Sequence, residues 1–589
     1  MSQFLSRPWI KVYDAGIGAS LEPYPPECLH VQLEQTAIKH ANKVACITSG
    51  RVPVAGRLGA ELSWSQINSA STQLAAALAE LGVCKGDAVA LILPNCVQFI
   101  VAFYAILKAG GVVAAINPTY PPDRMLHQVK DCGARVVICL TPFYSGFKRI
   151  QAQTKVECVI ATRIREYLPP VVGLVFRLLR EKKSGHYLGS LLPGDQWLQD
   201  LLVRGKSLAF QPPTIDAARD VAIYQYTGGT TGVAKGAMAT HRALVANTHA
   251  MHRWLGDAHL ADERLLGAIP FFHVYGMVLV LAFAASSGAC IILVPNARDI
   301  DDVVDNIAVW RPTVFCGVPA LFNAISLNPR VSSRAVDLGC LKACFSGSAP
   351  LAPSTKLRFE ELSGAPLREG FAMSETPNAT HGNPMGRPGN DQSISVPIPD
   401  VECSIVNLDD ERTHVGVGEV AEMIIRSPNM MLRYLNLPGE TAIALRDMRD
   451  GGAPWLFTGD IARMDAEGFF YIVDRKKDMA LIGGLNVYPT TVEKVLASHP
   501  AVGEVGVMRL PHPQQDGAEV LQVAIVLRAG QSATPAELVQ FQAGHLAPYE
   551  VVRRFTFLTE LAKTAVGKTL RRELLAAARQ NIVTVEAAY

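Results

Sequence analysis

The chain has few charged residues and almost no net charge. Lys, Arg, Asp and Glu make up 18% of its 589 residues, and the formal net charge at pH 7 is +2. Such a balance gives no basic footprint for nucleic acid, so we predict that the protein does not bind nucleic acid. Because 49% of the residues are hydrophobic, we expect folded domains with large buried sheets and not a disordered chain.

Secretion signals and cysteine motifs are also lacking. Residues 1–9 do not contain the apolar segment of a signal peptide. The twelve cysteines lie between Cys28 and Cys403, and none of them forms a C-x-x-C pair. We therefore predict reduced, mostly buried thiols and a cytoplasmic location.

The sequence contains one long uncharged stretch, but it does not suit a membrane span. Residues 265–297 carry no formal charge, yet Pro270 interrupts the beginning and Ser-Ser-Gly at 286–288 divides the rest. A transmembrane helix needs about 20 consecutive apolar residues. We predict a buried helix at 271–285 and a core strand at 290–294.

The chain does possess a loop rich in glycine and threonine, YTGGTTGVAKG at 226–236. It is not a Walker A motif, which requires G-x-x-x-x-G-K-[ST]. Glycine lets backbone N–H groups approach an anion, and successive N–H groups form an anion-binding concavity. An apolar strand at 220–225 precedes the loop, and a helix capped by Thr240 follows it. The order strand, loop and helix predicts a triphosphate site, although the composition also suits a flexible surface loop.

Two domains are predicted from the pattern of helices and strands. Strands and helices alternate through the first third of the chain and again around residues 223–345, which indicates an α/β fold with mostly parallel sheets covered by helices. Beyond about Asp474 the pattern changes to short helices and alternating strands. We predict a large domain at 1–473 and a small α+β domain at 474–589.

Six further motifs follow the glycine loop in a fixed order. They are PFFHVYG at 270–276, CFSGSAP at 344–350, GFAMSET at 370–376, WLFTGD at 455–460, VDRKKD at 473–478 and KTAVGKTLR at 563–571. Each motif alone is also explained by packing, capping or a solvated turn. The ordered set resembles the adenylate-forming (AMP-binding) superfamily of acyl-CoA synthetases, luciferases and peptide-synthetase adenylation domains, from about residue 62 to 574. The resemblance implies a large adenylation domain and a small mobile C-terminal domain.

The resemblance also implies ATP, Mg²⁺ and CoA as ligands. It assigns roles to residues as follows: the ATP phosphates to Thr227, Gly228, Gly229, Thr230, Thr231, Gly232 and Lys235; adenine and AMP to Gly347, Ser348, Ala349, Phe371 and Ser374; the ribose to Asp460 and Arg475; Mg²⁺ to Glu375; catalysis to His273 and Lys568; the hinge to Asp474; the CoA channel to Gly483 and Gly484; and the acyl pocket to Tyr275, Gly276 and Met277.

Within the superfamily the chain most resembles bacterial long- and medium-chain fatty-acyl-CoA ligases. The resemblance is carried by NPTYPPDRMLHQ at 117–128, VDRKKD, NVYPT at 486–490 and residues 167–183. It implies that a fatty acid reacts with ATP to give an acyl-adenylate and pyrophosphate, and that CoA then displaces AMP. Small residues at 276 and 347 are expected to leave room for the acyl chain.

Residues 167–183 form a basic amphipathic segment. Val172, Val175, Phe176 and Leu179 fall on one helical face, and four basic residues follow at its end. This pattern predicts peripheral contact with the inner face of the membrane, or a surface helix that packs on the main domain.

Several alternatives remain open at this point. The acyl-adenylate could be transferred to a carrier protein, or the acid could be an aryl or other non-fatty acid. A nucleotide-binding regulator without catalysis is a more distant alternative. Chain length and oligomeric state, including a homodimer, also remain open.

Overall fold

The computed structural model describes residues 7–52, 56–227, 234–256, 259–387, 389–390, 392–482, 485–512, 519–563, 574 and 582–584. In these residues the strands are β1 (Val44–Val52), β2 (Gly56–Ser63), β3 (Ala88–Ile92), β4 (Val112–Ala115), β5 (Val136–Leu140), β6 (Cys158–Thr162), β7 (Gln196–Trp197), β8 (Val221–Tyr226), β9 (Gly236–Thr240), β10 (Arg264–Gly267), β11 (Cys290–Leu293), β12 (Val314–Gly317), β13 (Ala343–Ser346), β14 (Leu367–Met373), β15 (Asn378–Gly382), β16 (Val396–Pro397), β17 (Glu402–Val406), β18 (Ala421–Arg426), β19 (Arg433–Tyr434), β20 (Leu445–Arg446), β21 (Trp455–Met464), β22 (Phe470–Arg475), β23 (Ala480–Ile482), β24 (Leu485–Val487), β25 (Val502–Pro511), β26 (Glu519–Leu527), β27 (Arg554–Phe557) and β28 (Val583–Thr584).

The α-helices of the same residues connect and cover these strands. They are α1 (Leu29–Lys39), α2 (Trp64–Glu80), α3 (Val97–Lys108), α4 (Pro122–Cys132), α5 (Thr141–Gln151), α6 (Pro170–Leu179), α7 (Leu198–Gly205), α8 (His241–Leu255), α9 (Val274–Gly276), α10 (Phe283–Ser287), α11 (Ile300–Trp310), α12 (Pro319–Leu327), α13 (Pro329–Ser332), α14 (Pro353–Ser363), α15 (Pro438–Ala444), α16 (Pro489–Ala497) and α17 (Pro535–Ala543). A π-helix spans Met277–Ala282, between α9 and α10.

Two large sheets with parallel centres form the main body. One has nine strands in the order β16-β15-β14-β13-β12-β10-β11-β1-β2, and the other has eight in the order β19-β9-β8-β4-β3-β5-β6-β7. Strands β10 to β14 and β3 to β8 pair in parallel, whereas β2, β9, β15, β16 and β19 pair antiparallel at the ends. The α/β architecture with mostly parallel sheets is confirmed. Its central strands read as continuous apolar runs because helices cover both faces.

Helix α3 shows how deeply the centre is buried. All twelve of its residues are buried, including Lys108. The Lys108 Nζ donates to Asn68 Oδ1 at 2.6 Å and to Thr72 Oγ1 at 2.8 Å, both on α2. Burial lowers the pKa of Lys108 to about 8. This lysine therefore has a structural explanation, because a buried ammonium is tolerated where its donors are satisfied.

The end of the chain forms smaller sheets. Strands β17, β18, β20, β21 and β22 make a five-stranded antiparallel sheet, and β25 to β28 make a four-stranded sheet that packs with α16 and α17 around a separate apolar core. Thr534 and Glu537 form a reciprocal capping box at α17, as the sequence predicts. The predicted boundary at 473/474 falls within β22, and the position of the domain boundary stays a prediction.

Two local predictions are confirmed in part. The helix capped by Thr240 is present as α8, but an unpredicted strand, β9, pairs with β8 and lies between this helix and the glycine loop. The helix predicted at 271–285 is present over 274–287, where a π-helix separates α9 from α10. Thr240 does cap α8, since its Oγ1 accepts from Ala243 N at 3.2 Å.

The predictions about cysteines and membrane spans can also be compared with the structure. All twelve cysteines are free thiols and nine of them are buried, as expected. Within the part of the chain that the structure describes, no helix combines the length and the apolar character needed to cross a bilayer.

Candidate active site

A cavity of about 990 Å³ brings most of the described candidate residues together. Its walls come from the β8–β9 hairpin, the segment before α9, the turn after β13, strands β14 and β15, strands β21 and β22, and the residues directly after β22. The predicted residues that line it are Thr227, Lys235, His273, Tyr275, Gly347, Ser348, Ala349, Phe371, Ser374, Glu375, Asp460, Asp474 and Arg475.

The base of the glycine loop is fixed by its hairpin. Thr227 N donates to Lys235 O at 2.9 Å, so both residues lie where β8 and β9 leave the sheet. The Lys235 Nζ lies 2.5 Å from Glu440 Oε2 on α15 and 5.2 Å from the centre of the Tyr434 ring. Gly228, Gly229, Thr230, Thr231 and Gly232 lie outside the described residues.

Glu375 lies on the same side of the cavity as Lys235. It follows β14, and its Oε1 accepts a hydrogen bond from Tyr434 Oη at 2.7 Å. Burial, and then the neighbouring Glu375 carboxylate, raise the pKa of Tyr434, so this phenol keeps its proton and acts as the donor. A carboxylate oriented in this way suits a hard cation such as Mg²⁺, which prefers oxygen ligands from one or two carboxylates and from phosphates.

The turn after β13 and strand β14 form a slot for a flat ring. Gly347, Ser348 and Ala349 follow β13, and Ser348 has a positive φ of 71°. A Cβ on Gly347 would lie 3.4 Å from the Tyr275 ring, so a Cβ there would already be in contact with this wall. Phe371 packs edge-on against the buried His381, with ring centroids 5.7 Å apart.

An aspartate and an arginine form an ion pair between β21 and β22. Asp460 and Arg475 are opposite residues in this antiparallel pair, and Arg475 Nε lies 2.7 Å from Asp460 Oδ1. The Asp460 side chain is only 2% exposed. An ionised carboxylate has acceptor sites for further donors, which fits recognition of a diol.

Neighbouring charges that sequence reasoning missed surround this pair. Glu422, buried on β18, accepts from Gly459 N at 3.2 Å and pairs with Lys476 Nζ at 2.7 Å. Burial lowers the pKa of Lys477, which also lines the cavity. Both lysines of the VDRKKD motif, Lys476 and Lys477, line the cavity, and the motif alone does not show this. Tyr434 and Glu440 were missed too, because they lie outside all seven motifs.

His273 stands at the beginning of α9. Its Nδ1 accepts from Tyr275 N at 3.2 Å, which leaves Nε2 as the ring nitrogen that carries the proton in the neutral form. The Tyr275 hydroxyl donates to Phe345 O at 2.9 Å, so this ring is fixed across the cavity wall. Tyr275 thus forms a rigid wall and not a flexible gate.

Two of the three predicted acyl-pocket residues do not face the cavity. Gly276 and Met277 are buried and do not line it. A Cβ on Gly276 would lie 2.4 Å from Pro270 O, so this glycine permits close packing of the chain and leaves no room for a ligand. The expectation that Gly276 makes space for an acyl chain is therefore wrong.

An apolar arm of the cavity lies elsewhere, against α8 and β15. A Cβ on Gly382 would lie 3.0 Å from Trp254 Nε1 and 3.7 Å from Ile398 Cγ2, so these residues meet at one place. Met251 and Leu255, also on α8, line the cavity beside them. The sequence signal that could have identified this arm is the spacing of Met251, Trp254 and Leu255, which places three apolar side chains on one face at the end of α8.

Asp474 links the large body to the C-terminal part of the chain. It is buried on β22, its Oδ2 accepts from Thr490 N at 2.8 Å, and its Oδ1 accepts from Thr490 Oγ1 at 3.0 Å. Thr490 lies in the first turn of α16. Gly483, Gly484 and Lys568 lie outside the described residues.

Comparison with protein families identifies the family to which the chain belongs. A family model described as "AMP-binding enzyme" matches residues 33–435, and a second, "AMP-binding enzyme C-terminal domain", matches residues 491–568. The chain belongs to the AMP-binding enzyme family. The resemblance seen in the seven motifs is therefore confirmed for the family.

Individual relatives of this AMP-binding enzyme extend over nearly the whole chain. A long-chain-fatty-acid–CoA ligase of Bacillus subtilis is 34% identical, and the match covers 98% of this chain and 99% of that protein. One from Salmonella typhimurium is 33% identical over the same shares of both chains. Among solved structures, ATP-bound MatB from Rhodopseudomonas palustris is 24% identical with a TM-score of 0.78, over 94% of this chain and 99% of that chain, and supports the fold.

Proposed function

We propose that this enzyme activates long-chain fatty acids with ATP and transfers the acyl group to CoA. The observation that carries the proposal is one cavity with a polar end and an apolar arm, in a chain whose full-length relatives are named long-chain-fatty-acid–CoA ligases. The polar end offers carboxylates, a lysine and a ring slot for a nucleotide. The apolar arm against α8 offers a place for an acyl chain.

The nucleotide is proposed to bind along the polar end. Its phosphates would lie against residues 227–235, its adenine between Phe371 and the turn 347–349, and its ribose on Asp460 and Arg475. Ser374 would contact the α-phosphate. The proposal is supported by the position of the described members of this set on the wall of one cavity.

Glu375 would hold Mg²⁺ together with the phosphates. When bound, the metal would offset negative charge on the phosphate oxygens as the reaction proceeds. Lys235 lies at the same polar end of the cavity and would place a second positive charge beside the phosphates. The donor set fits Mg²⁺ because a carboxylate and phosphate oxygens are ligands that this ion prefers.

The reaction then consists of two displacements. In the first, a carboxylate oxygen of the fatty acid attacks the α-phosphorus, the P–O bond to the β-phosphate breaks, and pyrophosphate leaves. In the second, the CoA sulfur attacks the acyl carbonyl carbon, the bond to the phosphate oxygen breaks, and AMP leaves. His273 would lie beside the acid, Lys568 would offset charge in the first step, and Gly483 and Gly484 would border the CoA channel.

The two steps need different arrangements of the small domain, and Asp474 is the proposed hinge. Its carboxylate receives two hydrogen bonds from Thr490 at the beginning of α16. We propose that rotation of residues 474–589 about Asp474 breaks these contacts, so that Lys568 leaves the site and the CoA channel faces it.

The test measures AMP release and pyrophosphate release by the purified protein with Mg-ATP, with and without CoA, over saturated acids from short to long and with aryl acids. A CoA-dependent optimum at long chains supports the proposal. A preference for an aryl acid would contradict the fatty-acid assignment. Pyrophosphate release that is unchanged by CoA would point to a different acceptor, such as a carrier protein.

Peripheral membrane contact is proposed for α6 and the residues after it. Three residues of the predicted face turn inward, since Val172 is buried and Val175 and Phe176 are half-buried, whereas the fourth, Leu179, is exposed as predicted. The other exposed apolar residues here are Val171, Leu174, Leu178, Tyr187 and Leu192. Arg177, Arg180, Lys182 and Lys183 are exposed beside them. An exposed apolar face bordered by cations suits an anionic lipid surface next to the cytoplasm.

Vesicle flotation tests this contact. We expect the wild type to float with phosphatidylglycerol vesicles, and a Leu174→Glu, Leu178→Glu double variant to remain in solution. Leu357→Glu is the matched control, because Leu357 is 67% exposed on α14, compared with 72% for Leu178. Equal flotation of all three proteins would contradict the proposal.

A further inference from the structure

One tyrosine outside the seven motifs touches both of the groups proposed for the phosphate and metal end. Tyr434 forms the short strand β19 with Arg433, and β19 pairs antiparallel with β9 through Tyr434 opposite Ala237 and Arg433 opposite Met238. It is buried, at 7% exposure. Because Lys235 directly precedes β9, this pairing holds the tyrosine beside the lysine.

The first contact is with the carboxylate. Tyr434 Oη donates to Glu375 Oε1 at 2.7 Å, and Met431 N donates to the Glu375 carbonyl at 2.6 Å. Both the side chain and the backbone of Glu375 are thus held by the segment 431–434. A carboxylate whose one oxygen is engaged by a phenol presents its other oxygen in a fixed direction.

The second contact is with the lysine. The Lys235 ammonium lies 5.2 Å from the centre of the Tyr434 ring, a cation–π distance, and pairs with Glu440 at the beginning of α15. The backbone of Tyr434 is itself fixed, since its N–H donates to Thr441 Oγ1 at 3.0 Å. Segment 434–441 therefore restrains the lysine from two sides.

We propose that Tyr434 is a positioning residue for the metal-bound triphosphate. Its hydroxyl orients Glu375, and its ring together with Glu440 orients Lys235. The inference rests on the proposed use of Mg-ATP, and it adds a residue that neither the motifs nor the family descriptions assign. Groups that orient a metal ligand commonly contribute about 10- to 100-fold to metal affinity.

The measurement is Mn²⁺ binding by electron paramagnetic resonance, with a non-hydrolysable ATP analogue present and no fatty acid. We expect Tyr434→Phe, which keeps the ring, to weaken Mn²⁺ binding about 10-fold. Tyr434→Leu, which removes the ring as well, should further weaken binding of the analogue. AMP affinity should change less than about 2-fold in Tyr434→Phe, because AMP lacks the phosphates that Lys235 and the metal would hold.

Tyr471→Phe is the matched control. The Tyr471 hydroxyl also donates to a carboxylate, Asp465 Oδ2, at 2.7 Å, but neither residue lines the cavity. This variant should bind Mn²⁺ and AMP like the wild type. The positioning role is wrong if Tyr434→Phe also binds Mn²⁺ like the wild type. It is also wrong if the affinities for AMP and for the ATP analogue fall by the same factor in this variant.

A double-mutant cycle distinguishes the positioning role of Tyr434 from a general folding defect. Glu375→Gln should weaken Mn²⁺ binding, and Tyr434→Phe should add little to it, because the hydroxyl acts through that carboxylate. Fully additive losses would overturn the inference. The binding test needs no turnover, so a wild type that binds the Mn²⁺ complex but activates no fatty acid contradicts the proposed function alone. A wild type that binds no such complex contradicts both.

Discussion

Replacing Asp460 with Asn tests the proposed ribose site most directly. The carboxylate is buried, and Arg475 Nε engages Oδ1 at 2.7 Å. An ionised carboxylate can accept from both ribose hydroxyls, whereas an amide offers one acceptor oxygen and an NH₂ that cannot accept. The variant should therefore lose one hydrogen bond to a charged acceptor, which contributes about 1.5–3 kcal/mol. This corresponds to a fall of roughly 10- to 150-fold in kcat/KM for ATP.

The assay compares ATP with 2′-deoxy-ATP and 3′-deoxy-ATP in wild type and variant. One deoxy analogue should be used almost equally well by both proteins, because the hydrogen bond that the variant loses is absent from that analogue already. Asp450→Asn is the control, since Asp450 also pairs with an arginine, Arg426 at 3.0 Å, but does not line the cavity. If Asp460→Asn lowers kcat/KM equally for ATP and both analogues, Asp460 does not bind the ribose.

Three further predictions concern the acyl arm, the small domain and acid stability. Met251→Ala should move the preferred acid to longer chains and Leu255→Trp to shorter ones, as measured by kcat/KM across chain lengths; shifts in the same direction would contradict the assignment of the arm. Lys568→Ala should slow adenylation roughly 10²–10³-fold and CoA transfer from preformed acyl-adenylate much less; equal losses would contradict its role. Burial lowers the pKa of His30 to about 4 and of His241 to about 3. In the unfolded chain the histidine pKa is near 6.5, so below that pH the unfolded chain binds more protons than the folded protein. The free energy of unfolding should therefore be highest above pH 6.5 and fall towards pH 4. At pH 5 the loss should be roughly 1–2 kcal/mol for each histidine, as measured by urea titration. A free energy of unfolding that does not change between pH 7 and 5 would contradict this.

Local sequence chemistry determined most elements of the fold. The apolar run at 97–108 and the glycines after it predict α3 with its observed bounds. Thr534 with Glu537 predicts the start of α17, and Thr240 predicts the cap of α8. These features are readable because caps and apolar periodicity act over three or four residues.

The sequence alone did not reveal which side chains face each other. Gly276 looked like space for a ligand, but tertiary packing places it against the Pro270 carbonyl. Most of the apolar face predicted for residues 167–183 turns inward, because Val172 packs against Gly50, and of its four residues only Leu179 is exposed. The first outcome depends on how the chain folds back over six residues, and the second depends on a partner far away in the chain.

The ordered motifs determined the family of this protein, because seven short patterns in sequence can be read without knowing where the chain goes in space. The contacts that organise the cavity were decided only by tertiary structure. Tyr434 reaches Glu375 across 59 positions, and Glu440 reaches Lys235 across 205. Hydrogen bonds and ion pairs of this kind form wherever sheets and loops bring partners to within about 3 Å, and no local pattern encodes that distance.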